Sequence, residues 1–357
     1  MGTAVGKTVF VGLSGGVDSS VAALRLLREG YTVVGVFIKV WQPDFLVCNW
    51  EQERLDAMRV AAHLKIPFLT FDAAEVYKEE VGQYFINEYI AGRTPNPDVM
   101  CNKFVKFGAF LSFAKAKGAD YVATGHYAMS RKSKDGYYEL SRGVDVHKDQ
   151  SYFLWTLTQE QLAHILLPVG SSTKDVIRKE AGAAGIPTAQ KKDSQGVCFL
   201  GHIDIPDFIS HFTTLKAGDV LNEHGEVIGA HKGALVYTLG QRHGFMVTKE
   251  DDESHVHYVI SKDLNRNTIT VATKPPHVAS GDTITLSETN WMHDVLKEGD
   301  SYHAQFRYRQ EPIPVTISNV GSGTCVLKLG VSTEAPALGQ SCVLYQGTTC
   351  LGGGIIS

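Results

Sequence analysis

The chain has 357 residues, 43% of them hydrophobic, 20% charged and 10% aromatic, and its 34 basic and 38 acidic side chains leave a formal charge of −4. That is enough apolar material for about two or three domains with cores of their own, with no need of a metal or disulfide to hold them together. The balance argues against a histone-like basic coat, although an acidic protein can still carry a local basic groove for nucleic acid.

The first apolar run, Val9 to Leu13, is too short for the core of a secretion signal and leads straight into a glycine turn. From residue 8 onward strand and helix signals alternate, as in a doubly wound parallel sheet. Thr8–Leu13 reads as a buried strand, Ser19–Arg28 as a helix with Val21, Leu24 and Leu27 on one face, and Thr32–Lys39 as a second strand. A helix at Glu51–Leu64, a strand at Pro67–Asp72, helices at Ala74–Ala91 and Lys103–Lys117 and a strand at Tyr121–Thr124 continue the pattern. After about residue 205 the texture changes to short β-like runs at Gly233–Thr238, Val256–Ile260, Thr268–Thr273, Val315–Ile317, Cys325–Leu329 and Ser341–Tyr345. Their spacing predicts a barrel or sandwich. The expected fold is α/β over 1–205, a small central linking domain over 206–275 and a C-terminal β-barrel over 276–357. Residues 335–357 carry no charge, but five glycines and interspersed Gln, Ser and Thr make them read as strands and turns instead of a membrane span. The expectation is a soluble, cytoplasmic protein with no membrane partner.

Immediately after the first strand comes Gly12-Leu13-Ser14-Gly15-Gly16-Val17-Asp18-Ser19-Ser20. At a strand–turn–helix junction, N–H groups freed by glycines, nearby hydroxyls and the helix dipole converge on an anion, so the segment reads as a pyrophosphate cradle. It lacks the lysine of a Walker A loop. A plain glycine turn with an Asp or Ser cap competes for a lone S-G-G, and much less for the whole string.

Six cysteines lie at 48, 101, 198, 325, 342 and 350, none in a C-x-x-C, which disfavours a zinc ribbon, an iron–sulfur site or a secreted disulfide framework. Cys48, Cys325, Cys342 and Cys350 sit in apolar or strand-like contexts and read as structural thiols. Cys101 follows a loop stiffened by Pro95 and Pro97 and precedes Lys103, Lys106, Lys115 and Lys117 on a helix without acids. A thiol at such a helix start should ionise below the free value of about 8.5. Asp98, three residues earlier, can reach the same substrate as a proton handler or base positioner. Cys198 lies in a second glycine-containing loop after Lys191 and Lys192.

Taken in order, G-L-S-G-G-V-D-S-S at 12–20, G-R-T-P-N-P-D-V-M-C-N at 92–102, A-T-G-H-Y-A at 123–128, K-D-Q-S-Y-F-L at 148–154, D-S-Q-G-V-C-F-L-G at 193–201, T-L-G-Q-R-H-G at 238–244, R-Y-R-Q at 307–310 and C-L-G-G-G-I-I at 350–356 resemble the bacterial tRNA-specific 2-thiouridylases, the MnmA (TrmU) family of the PP-loop ATP pyrophosphatases. The resemblance spans nearly the whole chain. It implies an adenine nucleotide α-hydrolase-like first domain in which Gly12, Leu13, Ser14, Gly15, Gly16, Val17, Asp18 and Ser19 bind ATP, Asp18 helps hold Mg²⁺, and Ile38 and Gly125 line the adenosine site. It implies that Asn96, Pro97 and Asp98 meet the target base and that His126, Lys148, Asp149, Gln150, Arg307, Tyr308 and Gln340 touch tRNA. It further implies that Cys101 is the nucleophile and Cys198 the persulfide carrier, with a Cys101–Cys198 disulfide left after transfer. The partners expected are the anticodon stem-loop of tRNA, suggested to be lysine, glutamate and glutamine tRNAs, and a persulfide donor, either a cysteine desulfurase or a relay protein. Two departures stand out: Ile38, where many relatives have Met, and the poorly matching stretch Trp41 to Trp50.

Read from the residues alone, the same positions leave plainer alternatives. His126 follows a strand end, where α/β sheets bind ligands, yet it is one histidine of fourteen. Lys148-Asp149-Gln150 reads equally as a solvated turn, and Arg307, Tyr308 and Arg309 as a solvent-facing strand that phosphates could also meet. A lysidine or amide-forming synthetase would keep the phosphate loop but need neither paired thiols nor a persulfide, and the two loop cysteines argue against the other alternative, an ATP-sensing RNA-binding module with a dead site.

Overall fold

The computed structural model describes residues 5–46, 50–192, 204–248, 256–293 and 296–357. Thr8–Gly12 (β1), Thr32–Lys39 (β2), Phe68–Asp72 (β3) and Tyr121–Ala123 (β4) join Ile165–Leu166 in a parallel sheet. With the hairpin Ala128–Lys132 (β5) and Tyr138–Arg142 (β6) counted, that last strand is β7, and the sheet order is β3-β2-β1-β4-β7.

Successive side chains of a strand point to opposite faces, and both faces of this sheet are covered. Val9 and Val11 pack with Val33 under the helices Val17–Arg28 (α1) and Trp50–Leu64 (α2). Phe10, Val36 and Val122 pack on the other side against a helix over 74–90 (α3) and one over 97–116 (α4). Lys174–Ala183 (α5) joins the first face through Ile177 and Ala181. This is the expected doubly wound arrangement, and it puts the β1–α1 loop and the chain after β4 at one end of the sheet.

One boundary differs instructively. The expected loop over 92–102 is already helical at Pro97, because proline is well suited to the first helical position and the Asn96 side chain caps the Val99 N–H at 3.4 Å. From Cys101 to Ala109 the helix widens to π-type turns, irregularities often found at functional sites.

The middle of the chain forms a five-stranded sheet of Gly218–Leu221 (β8), Val227–His231 (β9), Phe245–Val247 (β10), Tyr258–Asp263 (β11) and Thr268–Ala272 (β12), ordered β10-β9-β8-β12-β11. Its core of Val220, Ile228, Val259, Ile269 and Val271 includes Phe85 and Tyr89 of α3. The strand expected at Gly233–Thr238 is instead a 3₁₀ turn at Ala234–Val236, entered through Gly233 at φ +149°, a geometry that takes the backbone out of the sheet.

His277–Val278 (β13) and Thr333–Glu334 (β18) form a small ladder beside a closed barrel. The barrel strands are Thr283–Trp291 (β14), Ser301–Gln305 (β15), Ile313–Gly321 (β16), Thr324–Leu329 (β17), Ser341–Gln346 (β19) and Thr349–Ile356 (β20). They run β14-β17-β16-β15-β19-β20 and close through a β14–β20 pairing, which leaves no free edge. The uncharged tail is thus barrel strand, as expected, and no helix among the described residues is long and apolar enough to cross a membrane. β6 pairs with β20 as well, so a hairpin from the first two hundred residues extends the C-terminal sheet. Cys325, Cys342 and Cys350 are buried there, and burial pushes the Cys325 and Cys350 thiols up to about 11 and about 12 and Cys342 well above 9.

Candidate active site

The phosphate loop opens where β1 ends. The Leu13 N–H donates to Val36 O at 2.8 Å, which keeps the chain in the sheet until the turn. Gly15 then takes φ +70°, and a Cβ there would lie 2.8 Å from both the Asp56 Cβ and the Glu53 carbonyl of α2. The Ser14 Oγ accepts from Gly16 N–H and lies 3.3 Å from the Ser19 Oγ, which donates to Gly16 O at 3.2 Å. Gly16, the residue that caps α1, brings no side chain to its first turn, so the amides of Val17, Asp18 and Ser19 lie under a site that suits an anion. Gly125 closes the cradle from β4: a Cβ on it would sit 2.6 Å from Ser19 N. Ile38 and Phe110 both lie 3.7 Å from the Cβ position of Gly12, so the end of β2, the loop and α4 meet at one point.

Asp18 is not open to solvent alone. Lys174 Nζ donates to its two oxygens at 2.7 and 2.8 Å, and the Tyr127 hydroxyl donates at 2.7 Å. The lysine is nearly buried at the start of α5, and its own N–H donates to Asp145 Oδ2 at 2.9 Å. Lys174 lies in no motif of the sequence, and the string A-T-G-H-Y-A, which contains Tyr127, does not reveal that its hydroxyl reaches Asp18, since the partners stand in separate elements. Among the described residues no cluster of three or more His, Cys, Asp or Glu forms a metal cage.

Asn96 and Pro97 are buried and Asp98 is partly exposed on the first turn of α4. Cys101 is fully buried in the cluster of Phe10, Val122 and Phe107. This corrects the expected setting: the thiol stands in the second turn, inside the core, while Lys103 turns its ammonium over its neighbour Phe104 at 4.8 Å. Next to it Asn102 donates to Phe153 O at 3.1 Å and leaves its buried Oδ1 without a hydrogen bond. Cys198 and Cys48 lie outside the described residues.

His126 is buried one residue beyond Gly125. Its Nδ1 lies 2.7 Å from the Thr124 hydroxyl and its ring 5.8 Å from that of Phe107, so it spans from the phosphate loop to the helix bearing Cys101. Burial, reinforced by the Lys106 charge, holds it well below the usual histidine range, and the ring is neutral at pH 7.

The remaining positions divide. Gln150 accepts from Tyr127 N–H at 3.0 Å. Asp149 is buried, accepts from Gly143 N–H, Ser151 N–H and Ser151 Oγ at 2.9, 3.1 and 3.0 Å, and pairs with Arg142 at 3.1 Å. Its carboxylate is engaged inside the protein. Arg307 is exposed and bonded to Glu334, and Tyr308 packs its ring 4.5 Å from Phe153. Gln340 donates to Thr94 O and Pro95 O, both at 2.9 Å.

Such a loop on such a sheet, with two β-domains behind it, defines an ATP-using enzyme of the PP-loop class. Residues 7–202 match the tRNA methyl transferase HUP domain, 206–273 the tRNA methyl transferase PRC-barrel domain and 281–356 the aminomethyltransferase beta-barrel domain. The tRNA-specific 2-thiouridylase MnmA of Enterococcus faecalis is 43% identical over 357 residues, covering 98% of this chain and 94% of the relative. Those of Lacticaseibacillus paracasei and Methylobacillus flagellatus are each 42% identical, again over 98% of this chain and over 93% and 99% of the relatives. The chain belongs to the tRNA-specific 2-thiouridylase (MnmA) family.

Proposed function

We propose that the chain replaces the 2-oxygen of the wobble uridine of tRNA by sulfur, consuming ATP, with lysine, glutamate and glutamine tRNAs as its substrates. The observation that carries this is the convergence at residues 124–126: Gly125 seals the phosphate loop while His126 faces the helix that carries Asp98 and Cys101. The labour divides between an ATP-using domain over 1–205, a linking domain over 206–275 and a tRNA-contacting barrel over 276–357.

The C2 carbonyl oxygen of uracil is a poor leaving group, so activation precedes sulfur transfer. ATP supplies it: the oxygen attacks the α-phosphorus, pyrophosphate leaves, and the oxygen departs later as part of AMP. The uncapped first turn of α1, the hydroxyls of Ser14 and Ser19 and the glycine backbone suit the phosphates. Asp18 would be the residue to hold Mg²⁺, whose charge would offset that of the phosphates, and Lys174, now bonded to Asp18, would be the cation at hand for the nucleotide.

Sulfur arrives on Cys198 as a persulfide from a cysteine desulfurase or a relay protein. The Cys101 thiolate attacks Cys198 Sγ, the terminal sulfur leaves as hydrosulfide, and hydrosulfide adds at C2 and expels AMP. Alternatively the terminal sulfur adds to C2 first and Cys101 then cleaves the S–S bond. Either order leaves a Cys101–Cys198 disulfide for a reductant to reopen. Asp98 orients the base or carries its proton.

Cys101→Ser and Cys198→Ser should each abolish thiolation of tRNA while pyrophosphate release with tRNA persists. A fully active Cys198→Ser enzyme would eliminate the relay. Lys174→Met and Asp18→Ala should each lower pyrophosphate release about 100-fold, the usual loss for one group that stabilises developing charge. Undiminished release in either variant removes that residue from the phosphate site.

A further inference from the structure

The five residues that lead into α4 are held by every part of the molecule. Arg93 N–H donates back to Glu88 O in α3 at 2.8 Å. From loops of the central sheet's domain, the Thr238 hydroxyl lies 2.8 Å from the Thr94 hydroxyl, and Leu264 fills the space over Gly92, where a Cβ would come within 2.4 Å of its Cδ1. From the barrel, Leu338 O accepts from Thr94 N–H at 2.8 Å and Gln340 Nε2 donates to the carbonyls of Thr94 and Pro95. Gly339, at φ +88°, lies so close that a Cβ would sit 3.0 Å from the Arg93 Cβ. The next residue, Asn96, caps the turn that bears Asp98 and leads to Cys101.

Thr238 opens T-L-G-Q-R-H-G, a string that the reaction leaves without a task. The structure braces it as a rigid turn. Gln241 accepts from Thr238 N–H at 3.1 Å and donates to His243 O at 2.8 Å, Gly240 N–H donates to Val259 O at 2.8 Å, and the Tyr237 hydroxyl bonds to Gly244 O. The turn presents one hydroxyl to the loop and has a fixed foundation in β11.

We propose that Thr238 and Gln340 are positioning residues: from two different domains they fix Thr94 and Pro95, and through them the register of Asp98 and Cys101 in the active site. The positioning role uses the Gln340 carboxamide N–H groups, which are committed to the carbonyls of Thr94 and Pro95. Loss of either hold loosens the 92–96 loop without touching the nucleotide cradle. The inference rests on the thiolase reading only for which reaction is slowed; the loosening itself is measurable without turnover.

The test uses the full chain, reduced, with Thr238→Val, Thr238→Ser, Gln340→Leu and Thr94→Val. Iodoacetamide labelling of Cys101, followed on its own peptide by mass spectrometry, should accelerate about 10-fold in Thr238→Val and Gln340→Leu, and amide exchange should rise over 93–101. Thr238→Ser, which keeps the hydroxyl, should label at the parental rate. In single-turnover thiolation at saturating tRNA the Val and Leu variants should lose about 10- to 100-fold in rate, the scale of a small misplacement of reacting groups, with tRNA affinity and its salt dependence unchanged in Thr238→Val. The Thr94→Val/Thr238→Val pair should be no worse than either single change. Unaltered Cys101 labelling and exchange overturn the proposal, as does additivity of the two threonine changes. Weakened tRNA binding by Gln340→Leu with labelling unchanged overturns it for Gln340 and makes that residue an RNA contact. If the parental enzyme itself fails to thiolate, labelling and exchange still decide the matter while the function falls separately.

Discussion

At the scale of single residues, the chain shows which features of a site can be read from a string of letters. Gly15 and Gly125 stand where a side chain cannot, against α2 and the start of α1, and glycine at such close approaches is a local requirement that sequence reveals. Lys174 is the opposite case: an ordinary lysine opening a helix, whose bond to Asp18 depends on the packing of α5 beside α1. Asp149 was legible as a position but not as a buried carboxylate, because its contacts with Gly143, Ser151 and Arg142 form only when the loop folds back on the end of the hairpin. His126 offers a test in solution. Its protonation is held well below the ordinary range in the folded state, so above pH 6.5 the ring is neutral whether folded or not, and it leaves stability unchanged. As pH falls below 6.5 the unfolded chain takes up a proton that the folded chain refuses, and stability drops by up to about 1.4 kcal/mol per pH unit. The urea midpoint of the parent should therefore fall between pH 7.5 and 5.5 by more than that of His126→Gln, and parallel midpoints would show a solvated ring.

Among the elements, the strands and helices of the parallel sheet follow directly from buried β-branched runs alternating with amphipathic segments. The start of α4 was displaced because Asn96 and Pro97 supply a cap and a first helical residue together, a local signal outweighed in the sequence by two prolines that read as loop. The hairpin β5–β6 is not legible in the sequence because its outer strand carries Ser130, Arg131 and Lys132 and its inner strand joins a larger sheet only through the distant β20. The contact between β4 and α1 can be probed directly. Gly125→Ala places a methyl carbon 2.6 Å from Ser19 N, backbone that cannot yield. The expected outcome is loss of ATP-dependent pyrophosphate release by at least about 100-fold, with tRNA binding in a filter assay retained. Equal loss of both would mean that the substitution unfolds the domain instead.

For the whole molecule, a net charge of −4 said little about RNA, since what matters is where the cations gather. Lys103, Lys106 and Lys115 line α4, and Arg307, exposed on the barrel, has Glu334 as its present partner. Replacing Lys103 and Lys106 by Glu should weaken tRNA binding at low salt and lower the slope of log affinity against log salt by about two. An unchanged slope would put α4 outside the RNA interface. Fold class and barrel were legible because burial and alternation are written locally; the way the three parts meet on one loop was not, because it rests on bonds between residues more than a hundred positions apart.

The turn bearing Gln340 is itself tied down by the last barrel strand: Gly339 N–H donates to Ile356 O at 2.9 Å and Ile356 N–H to Gln340 O at 2.8 Å. Ribosomes make Cys101 well before Ile356, so a nascent chain carries its thiol beside an unset loop until this barrel strand has been made. A frameshift ahead of that strand should thus silence the molecule as surely as one at the nucleotide cradle, and a chaperone or fusion partner that delays closure of the barrel would postpone maturation of a centre far upstream in the gene.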